Sequence, residues 1–187
     1  MDENISKMRL LFLLVGLRMV PMFHVASATM AYPHSTPLHA AVMAQDLDAV
    51  YDALMANMRA VNHKVTYGMT ALHLAVLIGH LPIVEALIQE GADPRERDDV
   101  GDTPLHIAAR TRNLYIAWYL LEHFADPDAW DDERRTPLHW AAWNNDFDMV
   151  RMLMSYGANP HRRTRWGWYA SNFTKKLNIR HFLSQFM

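Results

Sequence analysis

The sequence contains no cysteine, carries almost no net charge and lacks a hydrophobic run long enough to cross a membrane. The absence of cysteine excludes disulfides, thiolate zinc sites and cysteine nucleophiles. The formal net charge of -2 argues against a nucleic-acid-binding protein that relies on bulk positive charge. The apolar stretch over residues 10–17 is too short for a transmembrane helix. What remains is a chain of 187 residues, 51% of them hydrophobic, enough for the core of one domain or one short repeat array.

A short motif recurs at a nearly constant interval. It begins with threonine, continues with proline or alanine, then leucine and histidine, and has an alanine two positions after the histidine. Its four copies start at Thr36, Thr70, Thr103 and Thr136, in steps of 34, 33 and 33 residues. Self-similarity at this period predicts a solenoid of repeated structural units.

The motif has the composition of a helix start. The threonine hydroxyl can cap a helix, and proline at the first helical position costs no hydrogen bond. Small alanines on one face allow a neighbouring helix to approach closely. The histidine, one turn inside the helix, is predicted to be buried with partners for both ring nitrogens.

With these four motifs at this spacing, and with the turns Gly91-Ala92-Asp93-Pro94 and Gly157-Ala158-Asn159-Pro160, the chain resembles the ankyrin-repeat family. The resemblance implies an all-α fold, a solenoid of helix-turn-helix units joined by short hairpin-like turns. It also implies a structural, bridging role for the motif histidine rather than a catalytic or metal-binding one. It covers about residues 35–187. The implied units are residues 35–66, 67–99, 100–132 and 133–164, followed by a degenerate capping unit over residues 165–187.

The helical spacing predicts the elements of the first two units. The first has an inner helix over residues 36–44 and an outer helix over 48–58, with its extra residue somewhere in 55–60. The second has helices over 70–78 and 81–88.

Two positions in the third unit draw attention. Asn113 is expected to cap the outer helix. Phe124 stands where other units have Gly91 and Gly157, and a bulky residue in left-handed geometry is strained. Either this turn changes shape or the stack is locally weaker. In the fourth unit, Asn145 tolerates the left-handed geometry expected there.

The N-terminal residues 1–28 contain the parts of a secretory signal. Basic residues precede the apolar stretch 10–17, and the small residues Ala26-Ser27-Ala28 form a cleavage pattern. We therefore predict cleavage after Ala28 and a linker over residues 29–34, which would make the protein exported, either periplasmic or secreted.

An alternative interpretation is a degenerate N-terminal helix that covers the first repeat, and Arg18, so close to the apolar stretch, favours it. Without cleavage the protein would be cytoplasmic. The start itself is open, since Met8 directly before Arg9 makes a more typical signal start than Met1.

No set of residues in the sequence forms a convincing catalytic, metal or cofactor site. Four of the 11 histidines belong to the motif, and no pair of the others has metal-ligand spacing on one helix face. There is no glycine-rich phosphate loop and no nucleophile turn. We expect neither enzymatic activity nor a metal or cofactor.

One basic and aromatic cluster could suggest nucleic acid. Arg162, Arg163 and Arg165 accompany Trp166 and Trp168, as in a patch that binds phosphates and stacks bases. The acidic stretch over residues 131–133 would oppose a polyanion, and we predict no nucleic-acid partner.

In the ankyrin-repeat family, turns and inner helices form a concave face that holds another protein. The resemblance places the positions just before each threonine, and seven or eight after it, on that face. These residues are Tyr67, Met69, Leu77, Ile78, Val100, Asp102, Arg110, Thr111, Trp130, Glu133, Arg135, Trp143, Asn144, Arg163, Trp166 and Trp168. Tryptophan and arginine are common binding hot spots. The alternative is that some of these tryptophans are buried between repeats.

The favoured hypothesis is a non-enzymatic protein–protein interaction module, itself monomeric and without a stable transmembrane span in the mature chain. Two alternatives stay open. One is a regulatory or protective accessory subunit of an enzyme in a bacterial periplasm, and the other is an exported effector that acts on host proteins.

Overall fold

The computed structural model describes residues 36–186, except for the side chain of Arg59. Residues 1–28 and 29–34, for which the sequence predicts a signal peptide and a linker, lie outside this part. The described residues form ten α-helices and no β-strand. The helices are α1 (Pro37–Ala44), α2 (Leu47–Ala56), α3 (Ala71–Ile78), α4 (Leu81–Gln89), α5 (Pro104–Thr111), α6 (Leu114–Glu122), α7 (Pro137–Trp143), α8 (Phe147–Ser155), α9 (Ala170–Phe173) and α10 (Leu177–Ser184).

The odd-numbered helices are here called inner helices. The first four begin directly after the motif threonines as predicted, whereas α9 follows Tyr169. The hydroxyl of Thr70 accepts a hydrogen bond from the backbone N–H of His73 at 3.4 Å. Two of the even-numbered, outer helices begin at aspartate caps, because Asp46 and Asp146 each accept from a backbone N–H three residues later at 3.1 Å.

The inner helices pack closely against one another along the array. Ala75, Ala108 and Ala141, at equivalent positions, are fully buried, and their small size lets the helices approach. Neighbouring inner helices contact each other more extensively than neighbouring outer helices do. The stack therefore curves, with the inner helices on its concave face, and the predicted all-α solenoid is confirmed.

The turn at Phe124 keeps the shape of its glycine-containing counterparts. Phe124 has φ 67°, and the N–H of Ala125 donates to the carbonyl of Leu120 at 2.9 Å. Ala92 makes the same bond at 2.9 Å in the second unit. The alternative that this turn changes shape is wrong, and the side chain is instead turned into solvent with 85% exposure. Asn145 adopts left-handed geometry as expected, with φ 54°.

Asn113 occupies the position before α6, but its side chain makes no capping bond. Its amide instead donates to the carbonyl of Val76 at 3.4 Å and to the hydroxyl of Thr111 at 3.0 Å. The side chain thus joins two units rather than capping the start of α6.

The first unit differs from the others after its outer helix. α2 ends at Ala56, and a 3-10 turn follows over Met58–Ala60, within the range predicted for the extra residue. At the other end, α9 is a single turn, and Ile179 and Leu183 of α10 complete the buried core.

Candidate functional site

Between each outer helix and the next inner helix the chain forms a hairpin-like turn, here called a tip. The four tips span residues 65–69, 98–102, 131–135 and 164–168. In each, the N–H of the first residue donates to the carbonyl of the last, at 2.9, 2.9, 2.9 and 3.0 Å.

Motif histidines hold the tips in place. In the third unit, the backbone N–H of Thr103 donates to Nδ1 of His106 at 3.1 Å, so Nδ1 is an acceptor and the proton lies on Nε2. That Nε2–H donates to the carbonyl of Arg135, at 3.1 Å, in the following tip. The same bond joins His73 to Asp102 at 3.1 Å and His139 to Trp168 at 3.2 Å.

Burial keeps these histidines neutral. Loss of solvent lowers the pKa of His73 and of His139 from 6.5 to about 4, and it also lowers the pKa of His106. The prediction that both ring nitrogens find partners is confirmed for these three residues.

His39, in the first unit, breaks the pattern. Its Nε2 is buried and forms no hydrogen bond of ordinary geometry within residues 36–186, although the backbone of Met69, the counterpart of Asp102 and Arg135, lies close enough to raise its pKa. The step to the next motif is one residue longer here than in the other units. Burial, and secondarily the nearby His63, lower the pKa of His39 to about 4.

Backbone hydrogen bonds also join consecutive tips. The carbonyls of Tyr67, Val100 and Glu133 accept from the backbone N–H groups of Asp99, Asp132 and Arg165, at 3.0, 3.1 and 2.8 Å. Tyr67, Val100, Glu133 and Trp166 are therefore aligned at 33-residue intervals along one edge of the array.

The structure distributes the sixteen predicted partner-binding residues over three levels of exposure. The exposed residues are Tyr67 (54% accessible), Val100 (49%), Trp130 (51%), Trp166 (45%) and Arg163. Half-buried residues are Leu77, Ile78, Arg110, Thr111, Glu133, Trp143, Asn144 and Trp168. Large side chains are thus accessible at or beside every tip.

Met69, Asp102 and Arg135 are buried, contrary to the expectation that they face the groove. Each is the last residue of its tip, next to the motif threonine. Asp102 forms an ion pair with Arg110 at 2.5 Å, and Arg135 forms one with Asp131 at 2.5 Å. Their charges are used inside the protein, so they offer little surface to a partner.

These ion pairs meet at a tryptophan. The guanidinium Cζ atoms of Arg135 and Arg110 lie 4.6 and 5.4 Å from the ring centre of Trp140, which is itself buried. Burial raises the pKa of Asp131 although Arg135 opposes the shift. For Asp98, burial and then the charge of Asp102 raise the pKa to about 6.

A cavity of about 520 Å³ lies beside the last two tips, and we call it the tip pocket. Its lining contains Trp130 and Arg163, which the sequence predicts for the binding face, and Arg134, which sequence reasoning missed. The full lining is Asp126, Asp128, Trp130, Arg134, Thr136, His161, Arg162 and Arg163. A signal for Arg134 was present, since 33-residue alignment places it at the position of Gly68, Gly101 and Gly167.

A second cavity, of about 760 Å³, lies on the outer helices α6, α8 and α10. Trp118, Met152, Met154 and Phe182 contribute apolar surface to it. Met152 and Met154 are half-buried against the core, so they pack against it and also line this cavity.

Metal-binding clusters and membrane-spanning helices are both absent from residues 36–186. No group of three or more His, Asp or Glu side chains there is arranged to hold a metal ion. Within residues 36–186, no helix has the length and hydrophobicity needed to cross a bilayer.

The fold and the row of tips define a helical repeat protein with a concave, side-chain-lined face. Comparison with known families matches residues 10–98 and 75–164 to ankyrin repeats, in three copies. The chain belongs to the ankyrin-repeat family, whose members generally mediate protein–protein interactions and are typically not enzymes. The curated proteins contain no match to it. The first matched range begins at residue 10 and so includes much of the candidate signal peptide.

Proposed function

We propose that this protein is a non-enzymatic binding module, which holds a partner protein against the face made by its tips and inner helices. The observation that carries the proposal is the row of large, exposed side chains at the tips. Tyr67, Val100 and Trp166 lie at equivalent positions, and hydrogen bonds between the tip backbones keep their spacing constant.

Residues at the carboxyl ends of inner helices α5 and α7 supply the floor of the same face. Arg110, Trp143 and Asn144 are half-buried, so each keeps exposed surface for a partner. The Asn144 amide nitrogen donates to the carbonyls of Ala109 and Arg110, at 3.1 and 2.7 Å, which fixes its orientation. Preordered aromatic and amide groups reduce the entropy lost on binding.

The test is affinity purification of the full-length chain from its native cells, followed by measurement of Kd for the recovered protein. Tyr67→Ala and Trp166→Ala should each weaken binding at least tenfold, as expected for hot spots. Tyr115→Ala is the matched control, because Tyr115 is 76% exposed on outer helix α6. If the tip variants and the control lose affinity equally, or if none of them loses affinity, the concave face is not the binding surface.

A further inference from the structure

The cations beside the tip pocket are paired differently from the cations beside the first two tips. Residues 64, 97, 130 and 163 occupy one equivalent position. Directly before the first two tips, this position holds a cation paired with an acid. Lys64 lies 2.8 Å from Glu96, and Arg97 lies 3.2 Å from Asp132.

At the last two tips that pairing is absent. The position holds Trp130 and then Arg163, and the guanidinium of Arg163 stacks on Tyr169 at 4.5 Å and donates to its hydroxyl. Arg134 lies over the Trp130 ring at 5.5 Å. Within residues 36–186, neither arginine has a carboxylate within 4.0 Å.

The two carboxylates in the lining are already engaged. Asp126 accepts from the backbone N–H of Asp128 at 2.9 Å. Asp128 accepts from the backbone N–H of Asn159 at 2.7 Å and lies 3.6 Å from the guanidinium of Arg162. Arg134 and Arg163 therefore remain as the unpaired positive charges of the cavity.

Arg134 also holds a backbone conformation that its side chain disfavours. Its φ is 60°, where the other three tips have glycine. An ordinary residue in this region costs about 1–2 kcal/mol. Strained positions of this kind cluster at functional sites.

We propose that the tip pocket binds an acidic segment of the partner protein. A carboxylate of that segment would accept hydrogen bonds from the guanidinium groups of Arg134 and Arg163, and an adjacent apolar side chain would pack on Trp130. Charge complementarity is what selects this occupant, since the guanidinium fork matches a carboxylate. The inference rests on the proposed function, because it names the chemistry of one part of the same binding surface.

The experiment measures fluorescence anisotropy of a short labelled peptide of alternating leucine and glutamate, titrated with the full-length chain. Arg134→Gly and Arg163→Ala should each weaken binding about tenfold, the effect of losing a charged hydrogen bond. The same peptide with glutamine in place of glutamate should bind at least tenfold more weakly. Lys64→Ala is the matched control and should leave the affinity unchanged, since its cation is already paired with Glu96.

Arg134→Gly installs the residue found at the other tips, so its melting temperature should not fall and weaker binding would not reflect misfolding. The proposal is overturned if the native chain binds no glutamate peptide, if the glutamine peptide binds equally well, or if only a phosphoserine version binds. It is also overturned if Arg134→Gly retains full affinity. Loss of partner binding in Tyr67→Ala and Trp166→Ala would then still support the proposed function, because those variants leave the pocket intact.

Discussion

His106 and Arg135 are 29 residues apart in sequence, yet the Nε2–H of the histidine donates to the carbonyl oxygen of the arginine at 3.1 Å. The bond ties the start of one inner helix to the tip that precedes the next. Because the tips carry the exposed side chains of the proposed binding face, a buried histidine positions groups that it never touches.

Removing this bond should weaken the stack more than removing its counterpart in the first unit. We expect His106→Ala to lower the free energy of unfolding by about 3 kcal/mol, from lost packing and from the loss of one of the two hydrogen bonds that the carbonyl of Arg135 accepts. His39→Ala should cost about 1 kcal/mol less, since Nε2 of His39 makes no hydrogen bond within the described residues. Urea denaturation of both variants checks this difference. Equal losses of unfolding free energy would show that the histidines stabilise the fold through side-chain packing and not through the Nε2 hydrogen bond.

Acid should destabilise the fold through the same residues. Between pH 6.5 and about 4, unfolded histidine binds a proton that folded His73 and His139 do not. Their contribution is complete above pH 6.5 and is lost as the pH falls, by at most about 3 kcal/mol for each. Asp98 acts in the opposite direction below about pH 6, because its folded pKa is raised.

The measurement is a series of urea denaturation curves from pH 7.5 to 4.5. With four buried histidines against the few raised carboxyl groups, stability should fall across this range. The variant His73→Gln should show a shallower fall than the native chain. A native stability that stays flat or rises towards pH 4.5 would contradict the assignment of neutral histidines.

Relieving the backbone at Phe124 should stabilise the protein. Phe124→Gly removes the strain of left-handed geometry in the folded state, but glycine also increases the conformational entropy of the unfolded chain. The free energy of unfolding should therefore rise by up to about 1 kcal/mol. Gly91→Ala is the reciprocal control, because φ is 89° there and no atom lies within 4 Å of an added Cβ. That variant should be destabilised by strain alone. The measurement is the melting temperature of each variant. A shift in the same direction for Phe124→Gly and Gly91→Ala would contradict the assignment of backbone strain to Phe124.

The buried ion pair should matter far more than a surface pair. Arg135→Ala leaves Asp131 buried without its partner and should cost about 3 kcal/mol. Lys64→Ala removes an ion pair with half-exposed partners and should cost less than about 1 kcal/mol. Chemical denaturation separates the two, and a small loss for Arg135→Ala would mean that the network relaxes or admits water.

Export remains a proposal that one mass measurement decides. We expect the protein purified from its native cells to begin near Thr29, as cleavage after Ala28 requires. Intact-mass analysis reports the first residue directly. A chain that still starts at Met1 or Met8 would instead favour an N-terminal helix that covers the first repeat.

Most of the fold could be predicted from the periodicity of the sequence. The 33-residue step and the threonine-to-histidine motif predicted the inner helices, their caps and the burial of the histidines, because these depend on local chemistry repeated in every unit. Asn113 was misassigned because its amide bonds to the neighbouring unit, and no single unit contains that information.

The binding face was harder to predict residue by residue. Met69, Asp102 and Arg135 share a position that the family resemblance assigns to the groove, but their side chains are buried. Their partners lie several residues away or on another helix, as Trp140 does for Arg135. Arg134 was missed since an arginine at a glycine position gains meaning only once the cavity beside it is seen.

The hydrogen bonds from tip to tip connect the repeat units in series. If the two ends of the protein are pulled apart, the units should therefore unfold one at a time, and each step should release one 33-residue unit, or roughly 110 Å of extended polypeptide.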